Sequence, residues 1–457
     1  SFVLGTSGRT GGVAIGSNAG YFSEGNDNTY VGYASGYGST SVRTAHSNVA
    51  VGKEALNDIT SGYGNVAVGM FAGTSLTTPR DNVLVGYGAG KDLTTGAENI
   101  LIGLNSAQNM TDMNESVIIG QDCAASFVDQ PTHGRMIYLG YRVAYNSTGS
   151  EKDYEIGMGF STLHSDKSTA AHIAIGGWAG YYLSGTGDGS IMLGQNAFLG
   201  NSTGIEAVGS IAIGAGAGEG ITASTYDIFL GGRAGATAGT TQSSVVIGFD
   251  AGRRLGNDHT SSENIIIGRE TAYYLGSDDG DGTGAAATGN TIIGVGAGMK
   301  AIGGDKNVIL GYKAGPASGV DQDNKLYIHN AESATPLIGG DFSDPSLTIN
   351  GTLTATGNTI LSSQLLNITK TSKFDVGADF TLSTSYSRYK VECISGDSPG
   401  NVNVRVTTPA APTVGDEYWI IGSTWHGPGG ETGGATVDII ANTSQTINKI
   451  GTAIQLA

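Results

Sequence analysis

The stretch NVAVGKEALNDITSGYGNVAVG, running from Asn48 to Gly69, holds one structural unit and the opening of the next. Three extended residues, Val49, Ala50 and Val51, end on Gly52, and the same tetrapeptide returns 17 residues later as Val66 to Gly69. Outward from this pair, the same unit closes on Gly16, Gly32, Gly86, Gly103, Gly120, Gly140, Gly176, Gly194, Gly214, Gly231, Gly248, Gly268, Gly294 and Gly311. A degenerate copy, YEIG, closes on Gly157 and brings the total to seventeen. The modal spacing is 17, and departures from it are almost all insertions. Ala stands three residues after the glycine in eleven units, among them Ala55, Ala72, Ala89, Ala179 and Ala251. In four more, Ala107, Ala124, Ala144 and Ala272, it sits one place later. Segments rich in Thr, Asn, Asp and Gly, such as SLTTPRDN and DLTTGAEN, then supply turn chemistry.

A 17-residue circuit is too short to hold a helix and suits one coil of a β-solenoid. The expected coil is a strand, a glycine bend, a short second strand around Ala, and a turn back. Glycine belongs at the corner because it takes positive φ cheaply and lets backbones approach closely. Seventeen coils at the strand spacing of about 4.8 Å make a rod roughly 80 Å long. Alternation in Val49-Ala50-Val51 puts large side chains on one face and a small one on the other. With both faces apolar, lateral association of several chains is the expected outcome.

Composition agrees. The 457 residues include 76 glycines, about one in six against a usual share nearer one in fourteen, which is a repeat's signature rather than an ordinary domain's. Glycine does not recur every third residue, which removes collagen, and no apolar run approaches a membrane helix. Net charge is −17 with no Lys/Arg cluster, so nucleic acid and anionic membrane are poor partners. Cys123 and Cys393 lie far apart in regions of different character and read as two free buried thiols. Ser1 to Gly20 lacks a secretion-signal profile, and the chain reads as processed or as part of something longer.

The unit [V/I]-x-[V/I]-G-x-x-A, often preceded by Asn as at Asn48, Asn65, Asn82, Asn99, Asn264 and Asn307, resembles the head repeat of YadA-type trimeric autotransporter adhesins. More closely, it resembles the longer-period variant of bacteriophage tail fibres. The segment from Asp323 to Leu353 is similar to the connector that follows such repeats. The resemblance implies an all-β fold, a homotrimeric left-handed parallel β-roll, ending in a β connector and a C-terminal tip. The expected divisions are a β-solenoid over 1–318, a trimeric β connector over 319–370 and a small β-sandwich-like knob over 371–457. In that last part Val402, Val404 and Val406 alternate with polar residues, the pattern of a half-buried antiparallel strand. Adhesins of this kind end in a heptad stalk and membrane anchor, whereas this chain ends in Ile454 to Ala457, which favours the phage fibre. Such fibres often carry a self-cleaving C-terminal chaperone; none is visible here, so it is absent or removed.

Candidate sites are sparse. Asp278, Asp279 and Asp281 in the largest insertion offer clustered oxygens to Ca²⁺, but the EF-hand spacing and its final Glu are missing. A solvated acidic loop is the leading reading there, as it is for Asp188 and for Glu24 to Asn28, and no other cofactor is expected. Gly214 to Gly218 imitates a phosphate loop yet falls on a bend in register with the others. The hexad Ile15 to Gly20 matches acyltransferase helices only once per circuit, and a Thr ladder regular enough for ice binding is lacking. Asp153, Glu155, Asp341 and Asp344 are the carboxylates available to a glycan depolymerase, with no spacing that sets them apart. None of the seven histidines has ligand-like spacing. Tyr33, Tyr87, Tyr141 and Tyr312, just after the bends, read as structural.

Trp419 in EYWII reads as core, while Trp425, in a Gly/Pro loop with His426 and Glu431, reads either as a sugar platform or as buried packing. The expected function is therefore a virion tail fibre, extracellular, that attaches a phage to a host-cell glycan or protein and binds other tail proteins. A bacterial surface adhesin and a tailspike-type depolymerase are the alternatives.

Overall fold

The computed structural model describes residues 2–3 and 10–352, apart from segments 39–43, 128–132, 149–152, 168–170, 185–188, 201–203, 257–259, 277–285 and 317–322 and residues 302 and 334. Beyond 352 it describes ten short strands. The chain divides into two compact units, Ser1–Leu353 and Thr354–Ala457. Among the described residues every regular element is a strand, and none is a helix.

The first unit is a parallel β-solenoid. Three-residue strands stack without register shift, Val49 opposite Val66 and Val66 opposite Val83. The β-branched residues that dominate these strands favour extended backbone and pack well on a pleated surface. Seventeen strands from Val13–Ile15 to Val308–Leu310, fifteen of three residues and two of five (Ile137–Tyr141 and Ile156–Phe160), form one continuous ladder and bound sixteen complete circuits. At each bend the reason for glycine is steric. Gly69 has φ 141°, and a Cβ there would lie 2.2 Å from the carbonyl oxygen of Gly86 on the next circuit. Gly86 meets Gly103 in the same way.

Two details differ from the sequence reading. First, the degenerate unit is placed two residues too early. Gly140 pairs with Gly159, whose φ is 141°, while Gly157 pairs with Tyr138 and points inward. A Cβ on Gly157 would come within 2.6 Å of Val143 Cγ1, because the phenol ring beside it already fills that layer. Second, the alanines lie on turns. Left-handed residues precede and follow the alanine, as Glu54 and Leu56 flank Ala55, and they turn its methyl into the core. The second strand comes later in the circuit. It is a five-stranded parallel sheet over Leu183–Ser184, Ile205–Val208, Ala223–Thr225, Thr240–Gln242 and Thr260–Ser262, and elsewhere shrinks to the pair Met113–Asn114 with His133–Gly134 and to single bridges such as Tyr63 with Arg80. Of the two faces that the alternation defines, the middle residue of each strand faces inward and its two neighbours face outward, so Ala50, Ala67, Leu84 and Leu101 are buried.

One core cluster runs from Ala19 to Ala314. Large inner residues are accommodated by glycines nearby: a Cβ on Gly235 would sit 2.3 Å from the Phe229 ring.

A polar column runs beside this core. The residue before most strands has a backbone N–H that a side chain of the previous circuit accepts. Asn65 N donates to Asn48 Oδ1 and Asn82 N to Asn65 Oδ1. The same asparagine amides donate along the column and to a turn carbonyl: Asn65 Nδ2 reaches Asn48 Oδ1 at 2.8 Å, Tyr63 O at 2.9 Å and Pro79 O at 3.1 Å. A buried amide is thereby satisfied on both its oxygen and its nitrogen. From Ser116 onward the acceptor changes to Ser, His and Asp, with an interruption at the buried Met136, whose side chain takes the column position without an oxygen or nitrogen to accept. Ser190 N donates to His172 Nδ1 and Ser244 N to Asp227 Oδ1, before asparagine returns at Asn264.

The ladder's ends differ from its middle. Lys325–Ile328 still pairs in parallel with Val308–Leu310, but Ile338–Asp341 and Ser346–Ile349 then add in antiparallel sense. At the other end Phe2–Val3 pairs antiparallel with Val13–Ile15. In the second unit, Val404–Thr407 lies between Asp379–Thr381 and Val437–Ile440, parallel to both, where alternation alone suggested an antiparallel strand. Alternation reports one buried face and is silent on strand direction. Tyr418–Ile421 and Ile447–Ile450 each pair antiparallel with Ala453–Leu456.

Gly69→Ala should cost about 3 kcal/mol or more, since it adds both strain and overlap with a stacked carbonyl. Gly220→Ala, at φ 72° with no atom nearer than 4.0 Å, should cost about 1 kcal/mol, the left-handed penalty alone. Denaturant midpoints of the two variants, measured side by side, check the difference.

Candidate functional site

Three sets of side chains point out from each circuit. The first and third strand residues come first, the two residues after the bend second, and the residues five and six past the bend third. The strand positions form two columns of aliphatic side chains along the ladder. Ile173, Ile175, Ile228 and Leu230 are each more than a third exposed although they lie within a paired sheet.

The positions after the bend are varied along most of the ladder, but on three successive circuits they become aromatic. Tyr141 and Arg142 follow Gly140, Phe160 follows Gly159, and Trp178 lies two past Gly176. Arg142 and Trp178 take φ 51° and 57°, the left-handed corner that turns a side chain outward here. The rings of Tyr141 and Phe160 stack at 5.2 Å and 17°. Trp178 meets Phe160 edge-on at 5.2 Å and 71°, so its indole stands across the stack.

Five and six residues past the same bends a second rank forms. His164 and Tyr181 stack at 4.5 Å and 5°, Tyr145 tilts against His164 at 5.4 Å, and Tyr182 crosses Tyr181 at 71°.

Arg142 joins the ranks. Its guanidinium lies 5.2 Å from the centroids of both Tyr141 and Tyr145. Its Nε stands 3.8 Å from Asp122 Oδ2, and it makes no hydrogen bond among the described residues. Asp122 in turn accepts from Asn105 Nδ2 at 3.0 Å. Burial first, and the nearby Arg142 charge second, hold His164 below the ordinary imidazole value. Burial raises the Tyr181 phenol, with Tyr182 adding to the rise and Arg142 opposing it. The surface therefore carries a neutral imidazole, one cation and its carboxylate amid apolar rings.

The residues singled out from sequence are dispersed. Asp278, Asp279, Asp281, Asp188, His259, Glu431 and Cys393 lie outside the described residues. No group of three or more His, Cys, Asp or Glu side chains suited to a metal occurs among the described ones. Trp425 and His426 form a two-residue strand paired antiparallel with Thr432–Gly433, Trp425 opposite Gly433 and His426 opposite Thr432.

Of the four carboxylates considered for hydrolysis, Asp153 accepts from Gly134 N at 3.1 Å, and Glu155 is buried in the polar column, bonded by the Tyr138 hydroxyl. Asp341 binds Lys325 and Ser343 on the terminal hairpin, which also carries Asp344. Asp153 and Glu155 thus belong to a central circuit and Asp341 and Asp344 to the hairpin that follows the last one. Asn28, from the acidic segment Glu24 to Asn28, is a member of the polar column. Cys123 is buried, with its thiol pushed up to about 11 chiefly by burial.

Of the tyrosines after bends, Tyr33, Tyr87 and Tyr312 are about half exposed, and Tyr141 belongs to the aromatic ranks. The ranks themselves escaped sequence reasoning. Their signal, Tyr141/Phe160/Trp178 against Tyr145/His164/Tyr181, appears only when three circuits are aligned on the true bend Gly159.

His164 must be neutral to stay buried at 9% exposure between two phenols. A folded-state value held below the ordinary imidazole value of 6.5 means the unfolded chain binds the proton more readily. Stability is complete above 6.5 and is lost as pH falls through the folded value. His164→Phe keeps the stack and should flatten this part of the stability profile, as thermal midpoints of both proteins between pH 4 and 8 would reveal.

No protein-family profile, curated protein or solved structure matches the chain.

Proposed function

We propose that three copies of this chain assemble side by side into a tail fibre of a bacteriophage, a left-handed β-roll trimer whose surface and C-terminal unit attach the virion to a host cell. The observation that carries the reading is the outward aliphatic strip of the ladder. It repeats circuit by circuit from Val13 to Leu310, and Val13, Ile100, Ile175 and Leu230 are each more than a third exposed. An apolar strip of this length is unstable in water unless covered. Its cover has to be equally long and equally periodic, and a second copy of the same ladder meets it rung for rung.

Closing the strip around a threefold axis buries each chain against two others. The resemblance of the NVAVGKEALNDITSGYGNVAVG unit to phage-fibre repeats supports the same count. A stiff ladder roughly 80 Å long suits a reach function. Three identical binding surfaces on one rod suit adhesion by avidity, because the first contact raises the effective concentration of the rest.

Sedimentation velocity of the full chain should give three times the 46.3 kDa chain mass. Ile175→Glu together with Leu230→Glu should reduce it to one chain or to aggregates, and Tyr226→Glu, on an exposed turn outside the strip, should leave the trimer intact. A monomeric wild-type chain, or a trimer indifferent to the two strip charges, rejects the assembly.

A further inference from the structure

We infer that the aromatic ranks on the three circuits following Gly140, Gly159 and Gly176 form a binding site for a neutral saccharide, centred on Arg142 and walled by Trp178 and Tyr182. The inference rests on the receptor-binding reading and places a contact on the flank of the ladder, separate from the C-terminal unit.

The chemistry of the surface selects the ligand class. Trp178 and Tyr182 both lie crosswise to their ranks, at 71° to Phe160 and Tyr181, so neither ring face is stacked on that neighbour. Trp178 is more than a third exposed. Such faces accept the C–H side of a pyranose, an apolar surface with a polar rim. The rim finds partners in the Arg142 and Asp122 pair. The two groups stand 3.8 Å apart, too far for a hydrogen bond to each other, and the guanidinium side chain remains 43% exposed. The exposed end of the guanidinium donates to the hydroxyls, and Asp122, 13% exposed and already accepting from Asn105 Nδ2 and Gln121 Nε2, offers its remaining lone pairs beside it.

The charge argues against other ligands. Asp122 balances Arg142, which leaves no excess cation to hold a phosphate or sulfate, and a quaternary ammonium would meet Arg142 among the rings it needed. His164 is held neutral by burial. The ranks begin two residues past the aliphatic strip, beyond the bend glycine, and so lie outside the strip that the assembly covers.

The chain's three tryptophans make the test specific. In the full trimer carrying Trp419→Phe and Trp425→Phe, Trp178 is the sole indole. Titration with neutral oligosaccharides built from glucose, galactose or N-acetylglucosamine should give a saturable change in Trp178 emission for at least one series. Arg142→Gln and Tyr182→Ala should each weaken that binding at least tenfold while circular dichroism and trimer mass stay unchanged, and Arg142→Lys should recover part of it.

Saccharide binding that leaves Trp178 emission unchanged and survives Arg142→Gln overturns this site but leaves the receptor reading standing. Absence of binding to every saccharide also overturns it, and adsorption of the same protein to bacterial cells then decides whether the receptor reading falls with it.

Discussion

Everything in the first unit depends on one contact, that of each bend glycine with the carbonyl of the next. At Gly52, Gly69 and Gly86 the absent Cβ leaves 2.2 to 2.3 Å where a methyl would have stood. That gap lets successive circuits approach to hydrogen-bonding distance at the corner, and strands on one side of the corner then inherit their register from it. The inward pointing of Ala50 and Ala67 follows, and so does the outward pointing of the valines beside them. A corner that tight fixes the cross-section, and a fixed cross-section is why the interior trades volumes between layers, Tyr138 beside Gly157 and Phe229 beside Gly235.

The polar column shows how a buried backbone can be satisfied without one obligatory residue. It works through an acceptor on one circuit for the N–H of the next, and at Met136 the ladder continues without one. Asn99, Ser116, His172, Ser210 and Asp227 all fill that role, with very different side chains. Asparagine does more than accept, since its amide also ties the column to the adjoining turn. The asparagine circuits therefore carry extra bonds, and the central circuits give these up for buried groups such as Glu155 and Asp227. Asp227 accepts from Ser224, Thr225, Thr241 and Ser244, yet burial still raises its carboxyl above the ordinary value.

How far the sequence could be read follows from which constraints are local. The period, the strand position and sixteen of the seventeen bends were legible because the glycine contact repeats at one chemical position. The bend at Gly159 was missed because Gly157 sits two residues earlier and satisfies the same pattern; only the bulk of Tyr138 on the preceding circuit tells them apart. The second strand was misplaced because Ala looks like a strand residue when its true role is to be small at a left-handed turn. Asparagines were noticed as neighbours of the strand, but their column could not be seen, since its bonds join residues 17 or 20 apart. The aromatic ranks were hidden for the same reason. Tyr141 was visible, but its partnership with Phe160 and Arg142 exists only between circuits. Alternation at Val402 to Val406 likewise described a face and left the direction of its neighbours open.

The antiparallel strands at the two ends of the ladder have a consequence for growth. A parallel rung reproduces, on its far edge, the same row of donors and acceptors that it received, so the middle of this structure contains no instruction to stop. Phe2–Val3 and the hairpin of Ile338–Asp341 with Ser346–Ile349 reverse the chain direction and present a different edge. A circuit can therefore be gained or lost between these ends as a whole quantum, with glycine meeting glycine and acceptor meeting N–H as before. Length in such a molecule is a counted quantity, set by how many copies lie between two full stops.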